Sequence, residues 1–165
     1  MAGGVVRLIH GDIDSGKTRR AAAWAEAETL AGRSVGGVLA LKTPTGRRFL
    51  DPVTGEEVAL EAPRAGEAVL AVGRFQFRQA AFDWAVQRVD AALEQGAGAI
   101  VIDEVGPLEM RGGGFSDLLD RMARDCPSVD RVLLVRTGLI DDVVVRFGGG
   151  ACLFDPPRNL AVPAA

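Results

Sequence analysis

Residues 11–18 read Gly-Asp-Ile-Asp-Ser-Gly-Lys-Thr, a complete G-x-x-x-x-G-K-T pattern. Each fixed residue type has a mechanical use. Glycines let backbone N–H groups close around phosphate oxygens, a lysine reaches the β and γ phosphates, and a threonine hydroxyl ligates Mg2+. Gly11, Asp12, Ile13, Asp14, Ser15, Gly16, Lys17 and Thr18 are therefore expected to hold a nucleoside triphosphate, with Lys17 as the side-chain cation on its reacting end. An apolar strand, Val5 to Ile9, precedes the loop, and a helix opening near Lys17 follows it and adds the positive field of its N-terminus. The competing explanation is an ordinary glycine turn before a helix.

A second segment carries carboxylates: Ile100-Val101-Ile102-Asp103-Glu104-Val105-Gly106-Pro107-Leu108-Glu109. An apolar strand ending in an acidic residue suits a phosphate loop, because its carboxyl end lies beside the loop, where Asp103 can hold Mg2+ through water. Thr18 and Asp103 are thus the expected metal side chains. Glu104 follows directly, and a carboxylate there can orient and deprotonate a water aimed at the γ phosphate. The alternative is that Asp103 caps the strand exit and Glu104 is only solvated.

Other residues leave more than one use open. Arg136 follows the apolar run Val132–Val135, whose carboxyl end should open onto the nucleotide crevice, so it could stabilise γ-phosphate charge. Pairing with Asp141 or Asp142 explains it equally well. Phe75, Phe77, Phe82 and Trp84 could form a stacking surface tolerant of any base, or simply pack in the core. Arg47, Arg48, Arg74 and Arg78 could meet ribose or phosphate, or form a solvated basic face; Arg111 and Arg146 are weaker candidates. His10 is expected to pack or hydrogen-bond locally. Asp12 and Asp14 would repel a polyphosphate unless they point outward, as the variable side chains of a loop that binds through backbone N–H groups can. Gly112 to Gly114 reads as a mobile stretch or a plain turn. No Asn-Lys-x-Asp segment occurs, which argues against guanine-specific G-proteins.

These residues need a scaffold that brings strand ends together, and the chain alternates accordingly. Strands are expected at Val5–Ile9, Val35–Leu41, Ala68–Val72, Ala99–Ile102, Arg131–Val135 and Ala151–Phe154. Helices are expected at Lys17–Ala31, Gln79–Glu94, Phe115–Asp125 and Leu139–Phe147. Turn signals between Thr43 and Leu60 predict short antiparallel strands, taken as a hairpin insertion over about 43–60 on one side of the sheet. Ala-Ile-Val-Ile at 99–102 reads as a central strand apolar on both faces. Alternating strands and helices imply right-handed crossovers and an α/β, three-layer fold with a mainly parallel sheet. The organisation expected is one domain over 1–155 and an irregular tail over 156–165.

Composition bounds the partners. The 165 residues suit about one domain, and 48% hydrophobic content is enough for a sheet covered by helices. A net charge of −3 gives no general attraction to nucleic acid or to an anionic membrane. Cys126 and Cys152 lack metal-like spacing, no stretch approaches a membrane span, and the first residues lack a signal-peptide pattern. The expectation is a cytoplasmic monomer. Of its basic residues only Lys17 and Lys42 are lysines, and one of them occupies the loop.

The chain resembles the small THEP-type nucleoside triphosphatases, phosphate-loop proteins related to the recombinase-like ATPases. The resemblance runs from about Val5 to Gly148. It rests on the loop, the Gly46–Glu56 stretch, Val72-Gly73-Arg74-Phe75 followed by a helix with Phe82, and most specifically the Val-Ile-Asp-Glu-Val-Gly-Pro-Leu-Glu run ending at Glu109. It implies a P-loop NTPase fold and Mg2+-dependent hydrolysis of ATP, GTP and other nucleoside triphosphates to the diphosphate and phosphate, with Glu104 at the position of the catalytic base. The catalytic set expected is Lys17, Glu104 and Arg136; the nucleotide-contacting set is the loop, Asp103, Glu104 and Gly106. A small-molecule or nucleotide kinase using the same loop, or a nucleotide-gated binding module with slow hydrolysis, are the other functions compatible with these residues.

Overall fold

Apolar runs too short for helices and rich in Val, Ile and Leu form the centre of the molecule. The structure, a computed structural model, describes residues 3–61, 63–148, 150–154 and 156; the tail expected over 156–165 lies outside the described residues except for Pro156. In chain order the strands are β1 (Val6–His10), β2 (Val35–Thr43), β3 (Gly46–Leu50), β4 (Glu57–Ala59), β5 (Val69–Val72), β6 (Phe75–Arg78), β7 (Ala99–Val105), β8 (Asp130–Val135) and β9 (Cys152–Leu153). The α-helices are α1 (Lys17–Leu30), α2 (Gln79–Glu94), α3 (Pro107–Met110), α4 (Ser116–Asp125) and α5 (Ile140–Val143).

Seven strands form one sheet in the order β4-β3-β2-β7-β8-β1-β9. The pairs from β2 to β9 are parallel, while β3 and β4 add antiparallel strands. The expected side hairpin is therefore an extension of the main sheet, because β2 runs to Thr43 and pairs with β3 directly. Asp51 fixes the following turn. Its carboxylate accepts N–H bonds from Val53 and Thr54 and a bond from Arg88 Nε of α2 at 2.9 Å.

Side chains alternate across each strand, so both sheet faces need cover. On β7, Ile100 and Ile102 join Leu8, Leu133, Phe82 and Met122 on the face under α2 and α4. Ala99 and Val101 join Ile9, Trp24, Leu39 and Leu134 on the face under α1. Three layers result. β8 lies between β1 and β7, so the strand carrying the loop and the strand carrying Asp103 and Glu104 are not adjacent.

Two local expectations change. The strand expected at Ala68–Val72 is one half of a separate two-stranded sheet, β5 paired antiparallel with β6 across Gly73-Arg74. The helical stretch expected at Leu139–Phe147 is divided into a 3-10 turn at Thr137–Leu139, α5, and a wider π turn at Val144–Gly148.

Candidate active site

The loop and α1 are continuous, and the helix starts at the lysine. Gly16 has φ 87°, a conformation that side chains with a Cβ resist. A Cβ on Gly11 would collide with the Ser15 hydroxyl. Those two glycines let the backbone turn tightly enough for Ser15 N–H to reach Asp12 O at 3.2 Å. The first N–H groups of α1 have no acceptor within the helix and are available to an anion, and Gly16, Lys17 and Thr18 line the cleft. Lys17 is buried, and its Nζ donates to Gly11 O at 2.9 Å and Asp12 O at 3.1 Å, which holds the ammonium across the loop.

The metal candidates meet. Thr18 Oγ1 donates to Asp103 Oδ2 at 2.6 Å, and the same oxygen accepts Ala40 N–H at 3.0 Å. Asp103 is 3% exposed. Burial pushes its carboxyl up to about 6; the Thr18 and Ala40 hydrogen bonds oppose that rise and the Glu104 charge adds to it.

Adjacent residues on a regular strand point to opposite faces, yet Asp103 and Glu104 both line one cleft of about 800 Å3 with the loop. The pairing of β7 with β8 explains this. Asp103 sits opposite Leu134 and Val105 opposite Val135, so Glu104 is the extra residue of an irregularity at the strand end. Such bulges re-aim side chains. The same register places Arg136, next after β8, beside the end of β7. Its Nε lies 3.3 Å from Glu104 Oε1, so the partner is Glu104 rather than Asp141 or Asp142. Gly106 and Arg136 also line the cleft.

Glu109 is a cleft residue whose burial the sequence did not signal. It is 3% exposed and lines the same cleft. Its Oε2 accepts Gly106 N–H at 3.4 Å, tying α3 to the turn after β7. Burial pushes this carboxyl up to about 8; N–H groups of Gly106, Glu109 and Phe115 oppose the rise, and the Glu104 charge reinforces it.

The remaining candidates separate. Asp12 and Asp14 are exposed, and Asp14 pairs with Lys42 at 3.3 Å. Asp14 has φ 60°, a region that Asp enters more readily than most residues. Phe75, Phe77 and Phe82 line the cleft, whereas Trp84 does not and instead lies under Arg88 at 5.9 Å. Arg47 lines the cleft; Arg48 pairs with Glu57, and Arg78 pairs with Glu67, which drives the Glu67 carboxyl down to about 2. Arg111 donates to Ala71 O and Arg146 pairs with Asp120, neither of them at the cleft. His10 is half-buried at the end of β1, where its carbonyl accepts Arg20. Gly112 N–H and Gly113 N–H close a turn onto Glu109 O and Leu108 O.

Among the described residues no group of three or more His, Cys, Asp or Glu converges as a metal cage, and no helix is long and apolar enough to cross a membrane. No match is found among the curated proteins. Three solved chains match, among them the following two. THEP1 from the hyperthermophile Aquifex aeolicus is 21% identical, with 93% of this chain and 91% of that chain covered and a TM-score of 0.68. A human cancer-related nucleoside triphosphatase is 18% identical, with 96% and 90% covered and a TM-score of 0.61. At these identities the likeness concerns the fold, an α/β P-loop NTPase-like arrangement. The family model described as NTPase matches residues 7–143, most of the chain, and on that match this protein belongs to the THEP1-like NTPase family.

Proposed function

We infer that this protein hydrolyses nucleoside triphosphates to the diphosphate and phosphate in a Mg2+-dependent reaction. The observation that carries the reading is the convergence of Thr18, Asp103 and Glu104 on the loop's cleft, with Thr18 Oγ1 and Asp103 Oδ2 2.6 Å apart. Family membership supports nucleoside-triphosphatase activity.

The donor set fits Mg2+, which takes hard oxygens, keeps several waters and shares substrate phosphates, so that one or two protein oxygens suffice. Thr18 and Asp103 would hold it, Asp103 through water. A buried carboxyl with its acidity suppressed is also a site where a cation restores the charged form. When bound, the ion would neutralise charge on the β and γ oxygens.

The chain's own groups do the rest. Backbone N–H groups of the loop and Lys17 bind the β and γ phosphates. Glu104 accepts a proton from the attacking water as its oxygen bonds to the γ phosphorus. The bond from that phosphorus to the bridging oxygen breaks, and the diphosphate leaves. Arg136 stands next to Glu104 and can turn its guanidinium to the γ oxygens as their charge spreads.

The test is phosphate release from ATP, GTP, CTP and UTP with and without Mg2+. Release is expected from all four, and only with the ion. Sites that read a base edge through hydrogen bonds discriminate by about 10^4 or more, so a preference of about several hundredfold for one base would contradict broad use.

A further inference from the structure

The cleft of about 800 Å3 is more than a phosphate site: its walls run from the loop at Ile13 to Thr18, past Glu104, to a cluster of phenyl rings. Phe49, Phe82 and Phe115 form its back, with ring centroids 5.1 to 5.6 Å apart. Phe77 is 6.4 Å from Phe82, and Phe75 stacks on Phe77 at 5.9 Å with 10° between planes. The β5–β6 hairpin supplies Phe75 and Phe77, so this wall comes from an element that neither holds the loop nor extends the main sheet.

Three of the basic side chains on the walls are already matched, while Lys17 and Arg19 belong to the first turn of α1 beside the loop. Lys42 faces Asp14, Arg47 faces Glu61 at 3.7 Å, and Arg136 faces Glu104. Arg47 also lies over the Phe75 ring at 4.6 Å. A cavity with paired charges at its mouth and phenyl rings behind suits an uncharged planar molecule. Mostly apolar pockets with a few placed polar groups are the usual form of small-molecule sites. At the phosphate end the placed polar group is Glu104, a proton acceptor.

We propose that the aromatic end of the cleft binds a second substrate, a planar uncharged aromatic or heteroaromatic alcohol, and that its hydroxyl takes the γ-phosphoryl group. This rests on the phosphate-site reading above and names what replaces water there. The alcohol oxygen bonds to the γ phosphorus, its proton passes to Glu104, and the bond to the bridging oxygen breaks. The products are a phosphomonoester and the nucleoside diphosphate. Hydrolysis is the reaction that remains when water occupies the acceptor position.

The probes are benzyl alcohol, 3-pyridinemethanol and 2-naphthalenemethanol, with ethanol as a hydroxyl without a ring. Saturation-transfer NMR reads their binding, and ADP, free phosphate and phosphomonoester are quantified together with Mg-ATP. Water alone gives one phosphate per ADP. At least one ring-bearing probe should receive saturation from the protein and lower that ratio by about twofold or more, with the deficit recovered as its phosphate ester. Phe75→Asp, at a half-exposed position, should weaken probe binding about tenfold. Val72→Trp, which fills the mouth, provides a second check if the first variant does not fold. The proposal is overturned if no ring-bearing probe binds or changes the ratio while ADP continues to form, if ethanol changes it equally, or if both folded variants bind the probes as the parent does. Absence of ADP and of triphosphate binding in every sample would remove the phosphate-site reading itself, and this proposal with it.

Discussion

Arg136 Nε lies 3.3 Å from Glu104 Oε1, so the candidate base of the reaction is ion-paired with the candidate stabiliser of its transition state. The Nε is shielded and, among the described residues, has no aligned hydrogen-bond acceptor, while about a third of each side chain remains exposed. Pairs this exposed contribute only about 0–1 kcal/mol. An incoming γ phosphate, with charge on three oxygens, competes easily for the guanidinium. Its departure leaves Glu104 free to accept a proton.

Removing the guanidinium should therefore slow chemistry more than binding. Arg136→Ala is expected to lower single-turnover phosphate release by about a thousandfold, the lower range for an arginine that stabilises phosphoryl transfer. Because the arginine comes from the same chain, specific activity should stay constant as the protein is diluted. Activity falling steeply with concentration would assign the role to an arginine of another copy.

Lys17→Ala should abolish hydrolysis and greatly weaken triphosphate binding, since Lys17 is the buried cation held across the loop by Gly11 and Asp12. Circular dichroism establishes that the variant is folded, and calorimetric titration with Mg-ATP reads the loss. Near-parental turnover would show that the loop does not hold the phosphates.

The loop and the acidic strand were legible because their information is local: eight consecutive residues set the turn, and an apolar run ending in Asp103 sets the strand. The strand-end position of Arg136 is legible in the apolar run before it, but of the two uses left open the pairing with Asp141 or Asp142 is replaced by Glu104, which arrives only through the β7–β8 register. The inclusion of β3 and β4 in the main sheet was hidden for the same reason. The β5–β6 hairpin did leave a local trace, two alternating runs separated by Gly73-Arg74, a spacing that favours a two-residue turn with glycine first. Glu109 left a trace of its hydrogen bond, as the third helical residue after Gly106 with Pro107 opening the turn, but none of its burial, which depends on the packing around it.

That buried carboxyl predicts a pH dependence of stability. Glu109 has its acidity suppressed to about 8 in the folded protein, from an ordinary 4.5 when unfolded. Between those values the folded state binds the extra proton, so stability falls as pH rises. The contribution is full below about 4.5 and is lost as pH passes about 8. Its slope is at most about 1.4 kcal/mol per pH unit. Glu109→Gln keeps the shape without titrating, so urea midpoints measured from pH 5 to 8 should show a shallower decline than those of the parent. An identical decline in both proteins would place the effect elsewhere.

The most discriminating prediction separates Asp103 from Glu104. Asp103 is buried against Thr18 and Ala40 and is assigned to Mg2+, so Asp103→Asn should weaken Mg2+-dependent nucleotide binding and turnover together. Glu104, re-aimed by the irregularity at the end of β7, is assigned to the attacking water. Glu104→Gln should leave Mg-triphosphate binding nearly intact while hydrolysis falls by about a hundredfold or more, as expected on losing a positioned general base. Glutamine retains the size and a hydrogen bond but cannot take a proton from water as it attacks phosphorus. The measurement is paired, equilibrium binding of a fluorescent triphosphate and single-turnover phosphate release on the same folded sample. Glu104→Gln hydrolysing at the parental rate would mean that the bulge presents Glu104 only to Arg136 and solvent, and the proton of the attacking water would then have to be accepted elsewhere.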